Sequence, residues 1–540
     1  MPSGSDKKPS ISDSTASRSG STTESLRFEV FSRTALRGVV VTDEVAGLVT
    51  PAMNLRLNYL HDYLSDLGAT TIIAEGGYID ADYLEDFAAY YARCFHPYAR
   101  DCVRLHFFSR PFSKEEFLSI LLSGGRKRKR LVIKSYLGFI VVRPLPQALI
   151  GRTVLQPRPR RKDAAVLPCL RTYRVHLCGL EMSVQSLAYQ EQDTVMAACA
   201  TVSVWTCLHK AGELFSTPMP RPSEITKAAG HDANGGRSIP SHALDVRQIC
   251  TAIRAFGLEP ELYDVNNDLP LGPTLYAYLS MGLPVIIGAK RDNGPRHAIV
   301  VNGYSLRPRA KSNTEADVEV MSSSQKEQNI IRFVGDRMCA LYGHDDQVGP
   351  FVRHEISFGT TEPDGPVLEI RGSVFRYSPT VIVVPIYHKI RLTFLDVIRN
   401  WIPPLHGVLR MFFSANDLEW DVQLMFTNDY KASLHGKAKG ALSEQHRLET
   451  MLRPYPRFIW RAILRWGVDA VAEAVFDATS FARAYPVISV RVFNREVTVG
   501  LQKILSAPEL KDVLNELASK GHEAPDKLWS DLAASVNGSA

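Results

Sequence analysis

The chain has 540 residues, 45% of them hydrophobic, and this length predicts roughly two to four globular domains. The 63 Lys and Arg against 57 Asp and Glu give a net charge of +6, which indicates solubility and singles out no partner. Eight scattered cysteines and a polar start without an export signal favour reduced thiols over a disulfide framework, so we expect a cytoplasmic protein. No uncharged apolar run in the sequence is long enough to span a membrane.

The first 165 residues divide into a tail and a candidate domain. Residues 1–25 are rich in Ser and Thr, a composition typical of disorder, and residues 26–165 are predicted to form an N-terminal α+β domain. The predicted elements are strands over Phe28–Val41, Thr70–Ala74 and Tyr136–Pro146 and helices over Asp80–Phe95 and Ser113–Leu122. The second helix starts with a capping box, because Ser113 stands three residues before Glu116.

Two basic clusters lie in this region. Arg126–Arg130 is followed by a predicted strand over Leu131–Tyr136, so we interpret the cluster as the solvated tip of a hairpin. Arg158–Lys162 lies in a Pro-rich segment and is interpreted as a linker or an exposed loop. Contact with phosphates is the alternative for both clusters. Neither contains interleaved aromatic residues for base stacking, so nucleic acid is the less favoured partner.

Two groups of cysteine and histidine residues raise the question of zinc. They are Cys94, His96, Cys102 and His106, and then Cys169, His176 and Cys178. Neither group has the C-x-x-C spacing that indicates a structural zinc site. We therefore expect ordinary packing for these side chains and neither a metal ion nor a cofactor in this protein.

The segment around Cys199 carries the strongest chemical signal. Val202, Trp205 and Leu208 follow Cys199 at helical spacing, which predicts a helix with the thiol in its first turn. Unpaired backbone N–H groups and the positive end of the helix dipole favour a thiolate there, and thiol pKa values at such positions fall below the free value of about 8.5. Cys207 lies in mid-helix and is predicted to be buried.

Candidate partners for the thiol follow on predicted strands. A helix over Leu244–Gly257 and a strand over Leu283–Lys290 precede a second strand, His297–Tyr304, which begins with the histidine. A third strand, Cys339–Gly343, leads directly to Asp345 and Asp346. The sequence thus supplies a nucleophile, a base and a carboxylate in a workable order.

This order of glutamine, helix-borne cysteine, strand-borne histidine and aspartate resembles the papain-fold cysteine peptidases, and within them the bacteriocin-leader peptidase type. The resemblance covers roughly residues 183–385. It implies a helix bearing the cysteine packed on an antiparallel sheet bearing the histidine and aspartate. It also implies that Cys199 is the nucleophile, that His297 is the base, and that Asp345 or Asp346 orients the imidazole.

The resemblance further implies a glutamine that donates to the oxyanion. The family usually places it six residues before the cysteine, a position that Asp193 occupies here, so Gln192 is the first candidate and Gln190 the second. The family also usually has a glycine just after the cysteine, where this chain has Ala200.

The remaining chain completes the predicted organisation. Residues 175–385 are the expected peptidase domain, with a polar insertion at 307–329 that we expect to be disordered. Residues 386–540 form a C-terminal α+β domain of mixed helices and strands, ending in a helix over Ser506–Lys520. No motif in this part points to a function, and the oligomeric state stays open.

The functional hypothesis is a cysteine hydrolase that cleaves a peptide or isopeptide bond in a protein or peptide substrate through a thioester intermediate. Transglutaminase or deamidase chemistry is an alternative on the same site. A third possibility is a non-catalytic scaffold of the same fold whose basic clusters contact nucleic acid.

Overall fold

The computed structural model combines helices and strands along the whole described chain. It describes residues 26–41, 47–123, 125–158, 165–193, 195, 198–231, 244–265, 269–292, 294–309, 331–358, 366–370, 375–413, 418–435, 444–481, 485–506 and 525–537. Four predicted segments lie wholly or almost wholly outside these ranges: the tail (1–25), the basic segment Arg158–Lys162, the insertion (307–329) and the helix over Ser506–Lys520.

The N-terminal region is built on a five-stranded antiparallel sheet in the order β1-β2-β3-β4-β5. The strands are β1 (Leu26–Val30), β2 (Thr71–Tyr78), β3 (Cys102–Phe108), β4 (Tyr136–Val142) and β5 (Ile150–Leu155). The helices are α1 (Arg33–Val40), α2 (Pro51–Asp66), α3 (Ala81–Ala89), α4 (Lys114–Ser123) and α5 (Arg126–Lys134). The capping box predicted for α4 has its expected bond, from the Glu116 N–H to Ser113 Oγ at 3.2 Å.

Three predictions for this region are wrong. The strand predicted over Phe28–Val41 ends at Val30, because Ser32 caps α1 by accepting the Ala35 N–H at 3.0 Å. The hairpin tip predicted at Arg126–Arg130 is the start of the helix α5, and most of the strand predicted over Leu131–Tyr136 belongs to the same helix. Arg and Lys are good helix formers, which is consistent with a helix that starts in the basic cluster. The β-branched residues after the cluster had favoured a strand, but of the residues on this helix only Val132 is buried.

The central region holds a seven-stranded antiparallel sheet in the order β13-β12-β11-β10-β9-β14-β8. Its strands are β8 (Leu258–Asp264), β9 (Val285–Arg291), β10 (Arg296–Leu306), β11 (Met338–Asp345), β12 (Gly349–Phe358), β13 (Pro366–Ile370) and β14 (Arg376–Tyr387). Strand β13 also pairs with β14, so the six strands β9 to β14 close into a ring and β8 extends from it. A separate hairpin of β6 (Arg171–Leu177) and β7 (Leu180–Ser186) precedes this sheet.

Four helices accompany the central sheet. They are α6 (Cys199–Phe215), α7 (Pro222–Ala229), α8 (Val246–Ala255) and α9 (Leu271–Leu279). Helix α6 is buried on nearly all sides, as its apolar sequence requires, and packs against β9, β10 and β14. Contacts along its length fix its position: the Ser203 hydroxyl donates to the Ala298 carbonyl at 3.4 Å, and the Cys207 thiol donates to the Pro284 carbonyl at 3.8 Å.

The C-terminal region carries a four-stranded antiparallel sheet in the order β15-β16-β17-β18. The strands are β15 (Leu418–Phe426), β16 (Phe458–Trp466), β17 (Asp469–Asp477) and β18 (Val487–Val492). The helices are α10 (Ile402–Leu409), α11 (Thr427–Ser433), α12 (Glu444–Leu452), α13 (Arg495–Ser506) and α14 (Pro525–Asn537). The mixed helix and strand pattern predicted for this region is therefore present.

One hydrophobic cluster joins all three regions. It contains Ile73 of β2, Val204 of α6, Ile287 of β9 and Trp460 of β16, each buried. Each of the ranges predicted as domains, 26–165, 175–385 and 386–540, contains one of the three large sheets, with β14 ending two residues past the second range. Independent folding of these regions stays a prediction.

Candidate active site

Cys199 is the first residue of α6 and is half-buried. Ala198 before it has extended backbone angles, and its carbonyl accepts the Val202 N–H at 3.0 Å, which closes the first helical turn. The first N–H groups of a helix have no intrahelical acceptor and the helix dipole is positive at this end. The thiol therefore lies where the backbone favours a negative charge.

His297 is the second residue of β10, and only 3% of its surface is exposed. Strand β11 runs antiparallel beside β10, so its last residue, Asp345, lies next to the histidine. The distance from His297 Nε2 to Asp345 Oδ1 is 2.9 Å, whereas Asp346 Oδ1 lies 3.7 Å from the same nitrogen. Asp345 is thus the carboxylate that holds the imidazole, a choice that the sequence left open.

Asp345 is itself held by two further donors. The Gln347 N–H donates to Oδ1 at 3.0 Å and the Tyr377 hydroxyl donates to Oδ2 at 2.9 Å. The Tyr377 ring also stacks on the imidazole of His297, with ring centroids 5.4 Å apart. Sequence reasoning missed Tyr377, because an aromatic residue near the start of a strand carries no signal that separates it from ordinary packing.

The positive charge of His297 and the negative charge of Asp345 stabilise each other. Burial lowers the pKa of His297, but other interactions outweigh this effect. The pKa is raised well above its usual value by the charge and hydrogen bond of Asp345, by the charge of Asp346 and by a hydrogen bond with Cys199. Burial raises the pKa of Asp345, but the charge and hydrogen bond of His297 outweigh it and bring this pKa to about 2. A buried imidazolium paired with a carboxylate is therefore favoured, with the thiol beside it.

Asp346 is the second acid at the imidazole. Its side chain is 4% exposed, and neither carboxylate oxygen has a hydrogen-bond partner among the described residues. Burial and the charge of Asp345 raise the pKa of Asp346 to about 7 against the lowering effect of His297. His297, Asp345 and Asp346 offer ligand atoms that all lie within 4.8 Å of one another, so these three residues could hold a metal ion.

The segment before the cysteine is fixed by the N-terminal region. Arg143, which follows β4, is buried and donates to the Glu191 carbonyl at 3.0 Å, and one of its nitrogens lies 4.0 Å from Asp193 Oδ2. The Glu191 carboxylate accepts the Ile150 N–H at 3.1 Å and forms an ion pair with Arg56 of α2. Residues near the thiol therefore depend on contacts with residues more than 40 positions away.

The turn after Asp345 is held by the same region. The Tyr59 hydroxyl of α2 donates to the Pro350 carbonyl at 2.7 Å, and a Cβ added to Gly349 would lie 2.3 Å from the Tyr59 ring. Phe351 has a φ of 53°, rare for a residue with a side chain, and packs in the N-terminal hydrophobic cluster. This cluster supplies the packing that offsets the strain.

The two glutamines named from the sequence differ in their surroundings. Gln192 is half-buried and makes no hydrogen bond to Cys199, His297 or Asp345 within the described part of the chain. Gln190 is 2% exposed, and its Nε2 has no acceptor among the described residues. The structure therefore brings together Cys199, His297, Asp345 and Asp346 and leaves Gln192 outside this group of contacts.

Comparison of the chain with protein-family models, with curated proteins and with solved structures finds no match. In the described ranges, no helix combines the length and the apolar character needed to cross a membrane.

Proposed function

We propose that this protein is a papain-like cysteine hydrolase that cleaves a peptide or isopeptide bond in a protein or peptide substrate. The observation that carries the proposal is that two residues distant in sequence, Cys199 and Asp345, both interact with the imidazole of His297. Cys199 starts a buried helix, His297 lies on the sheet against which that helix packs, and Asp345 holds His297 Nε2 at 2.9 Å. A nucleophile, a base and a group that orients the base are the parts that acyl transfer through a thiol requires.

The roles follow from the geometry. Asp345 occupies Nε2 of the imidazole, so Nδ1 is the nitrogen left for the Cys199 thiol. The thiolate attacks the amide carbonyl carbon, and the imidazolium gives its proton to the leaving amine as the C–N bond breaks, which leaves a thioester on Cys199. The neutral imidazole then takes a proton from water, whose oxygen attacks the thioester and releases the acid and the thiol.

The oxyanion needs donors near the start of α6. The backbone N–H of Cys199 is one candidate, because it belongs to the first turn of the helix. The amide of Gln190 is the better supported side-chain candidate, since it is buried and its Nε2 has no acceptor among the described residues. Gln192, the first candidate from the sequence, is half-buried.

Two other functions fit parts of the same structure. An amine that attacks the thioester in place of water would make this site a transglutaminase, and hydrolysis at a glutamine side chain would make it a deamidase. A scaffold that contacts nucleic acid draws support from α5, on which Arg126, Lys127, Arg128 and Arg130 are exposed. Such binding would weaken steeply between low and moderate salt.

The test of the hydrolase proposal is the rate at which iodoacetamide alkylates each cysteine at pH 6.5, measured by peptide mass spectrometry. A thiol with the free pKa of about 8.5 is only about 1% ionised at that pH, so an activated Cys199 should react at least about tenfold faster than an unactivated thiol. Cys178 is the internal reference for an unactivated thiol, because it is exposed and because partial burial and the charge of Glu75 raise its pKa.

Two variants complete the test. His297→Gln should abolish the advantage of Cys199 over Cys178. The matched control is His106→Gln, since His106 is also a buried histidine on a strand beside a carboxylate, but its partners, Tyr136 and Glu75, lie in the N-terminal sheet. This control should leave the advantage intact. An alkylation rate of Cys199 no higher than that of Cys178 in the unaltered protein would contradict the proposal.

A further inference from the structure

Asp346 is a buried carboxylate that the proposed hydrolysis does not use. Its backbone carbonyl accepts the Tyr189 hydroxyl at 3.4 Å, but both side-chain oxygens lack hydrogen-bond partners among the described residues. Buried carboxylates are normally paired, hydrogen-bonded or bound to a metal ion. Asp346 Oδ1 lies 3.7 Å from His297 Nε2, which is within ion-pair distance but too long for a hydrogen bond.

The three donors have the spacing of a metal site. Asp345 Oδ1 lies 2.9 Å and Asp346 Oδ1 lies 3.7 Å from His297 Nε2. Imidazole and carboxylate ligands bind Zn²⁺ at about 2.0–2.2 Å, so two of them at tetrahedral angles are about 3.3–3.5 Å apart. The two observed separations bracket this value, and the ligand oxygens of the two carboxylates lie within 4.8 Å of each other.

We propose that His297 Nε2, Asp345 and Asp346 bind a divalent transition-metal ion, with Zn²⁺ as the best-suited probe. One imidazole and two carboxylates suit Zn²⁺, whereas Mg²⁺ and Ca²⁺ prefer oxygen ligands alone. The Gln347 N–H and the Tyr377 hydroxyl already hold Asp345 and would orient this ligand around the ion.

The proposed site implies competition with the hydrolase chemistry, and this consequence rests on the proposed function. An ion on Nε2 takes the place of the proton that Nε2 shares with Asp345. The remaining proton then stays on Nδ1, so the imidazole cannot accept a proton from the thiol or from water. The ion would therefore inhibit turnover.

The thiol is not a ligand in this arrangement. Because Asp345 occupies Nε2, the proposal assigns Cys199 to Nδ1, and zinc affinity should therefore be the same in a Cys199→Ser variant. This separates the proposal from an ordinary Cys–His zinc site, in which loss of the thiolate would cost most of the affinity.

The test is calorimetric titration of full-length, chelator-treated Cys199→Ser protein with Zn²⁺. We expect one ion per chain at the site and an affinity at least about tenfold lower when Asp346→Asn is added. The matched control is Asp264→Asn, an exposed aspartate of β8, which should leave the affinity unchanged. Equal affinity with and without Asp346→Asn would overturn the proposal.

A second measurement needs no change at Asp346. Zn²⁺ should raise the thermal unfolding temperature of the Cys199→Ser protein, because an ion that binds only the folded state stabilises it. An unchanged unfolding temperature would contradict the site.

The two proposals can fail separately. Zinc binding that depends on Asp346, together with no selective alkylation of Cys199, would support the metal site and contradict the hydrolase. Selective alkylation without zinc binding would support the hydrolase and overturn the metal site.

Discussion

His297 is the residue through which the charges of the candidate site interact. It is nearly fully buried, yet its pKa is raised well above the usual value because Asp345 and Asp346 are close to it. Asp345 in turn has its pKa lowered to about 2 by His297. A group with a lowered pKa stabilises the fold above its ordinary pKa of about 4, and this contribution disappears as the pH falls through the lowered value.

Replacement of Tyr377 by Phe tests this carboxylate directly. The Tyr377→Phe variant keeps the ring on the imidazole but removes the hydroxyl that donates to Asp345 Oδ2 at 2.9 Å. Hydrogen bonds to charged groups contribute about 1.5–3 kcal/mol, so we expect the free energy of unfolding at pH 7 to fall by about this amount. The difference from the unaltered protein should narrow toward pH 2, as Asp345 becomes protonated.

Tyr83→Phe is the control for that prediction. Tyr83 is also buried, but its hydroxyl donates to the uncharged carbonyl of Ala99 at 2.9 Å. Its loss should cost about 0.5–1.5 kcal/mol, a smaller amount that does not depend on the protonation of Asp345. Denaturant unfolding at several pH values measures both variants, and a Tyr377→Phe effect that is constant down to pH 2 would contradict the assigned role.

The sequence alone identifies some residues of the candidate site and not others. Cys199, His297 and the Asp345–Asp346 pair could be named, because a helix start and two strand boundaries leave local patterns. The choice between the two aspartates could not be made, since it depends on distances of 2.9 and 3.7 Å across neighbouring strands. Tyr377 and Arg143 were missed because their roles arise only from contacts distant in sequence.

At the scale of elements, the segment before α6 is held by the loop between β4 and β5. Arg143 donates to the carbonyls of Ala148 at 3.0 Å, Ile150 at 3.3 Å and Glu191 at 3.0 Å. A single buried guanidinium thus connects the N-terminal sheet to the chain that leads into Cys199. Five donors in a fixed planar arrangement make arginine suited to this role.

The Arg143→Gln variant should loosen this connection. Removal of one partner from a buried ionic network costs about 3–5 kcal/mol, so we expect a loss of stability of that order. The alkylation advantage of Cys199 over Cys178 should also fall in the molecules that remain folded, because the backbone before α6 is no longer fixed. Alkylation at a temperature well below the unfolding transition measures this effect.

Arg461→Gln is the matched control for the element-scale prediction. Arg461 is also a largely buried arginine, but its partner is the buried carboxylate of Glu473 at 2.6 Å, and both residues lie in the C-terminal sheet. Its loss should lower stability without changing the alkylation of Cys199. Equal effects of the two variants on alkylation would show that Arg143 has no specific role at the site.

The elements themselves were predicted unevenly. Helix α6 and strands β9, β10 and β11 could be placed to within a few residues, because long apolar runs with clear boundaries leave little choice of period. Helices α1 and α5 were predicted as a strand and a hairpin tip. Short segments with β-branched residues fit both the helical period and the strand period. The side-chain cap of α1 and the packing of α5, which are seen only in the structure, distinguish a helix from a strand here.

At the scale of the whole molecule, the three sheets share one hydrophobic cluster. Trp460 of β16 contacts Tyr278 of α9, with ring centroids 5.5 Å apart, and donates to the Leu392 carbonyl at 2.7 Å. The N-terminal region contacts the central one through Tyr59, Arg56 and Arg143. The sequence patterns predict three regions but not these contacts. A periodic pattern shows that one face of an element is buried, but it does not show which other element covers that face.

The contacts between regions also explain how the candidate site is assembled. Cys199 lies on a helix, while His297 and Asp345 lie on a ring of strands, and the loops on both sides of the site are held by the N-terminal region. The position of the thiol relative to the imidazole therefore depends on the folding of more than the central region.

The pH dependence of Cys199 alkylation by iodoacetamide tests the central claim most directly. Because the pKa of His297 is raised and that of Asp345 is lowered, the imidazolium should persist from mildly acidic to neutral pH and be lost at alkaline pH. We predict that the alkylation rate of Cys199 changes little between pH 5.5 and pH 7.5. The rate of Cys178, whose thiol pKa is raised by partial burial and by the charge of Glu75, should fall about tenfold for each pH unit over the same range. Parallel decreases at the two cysteines would contradict a thiolate paired with His297.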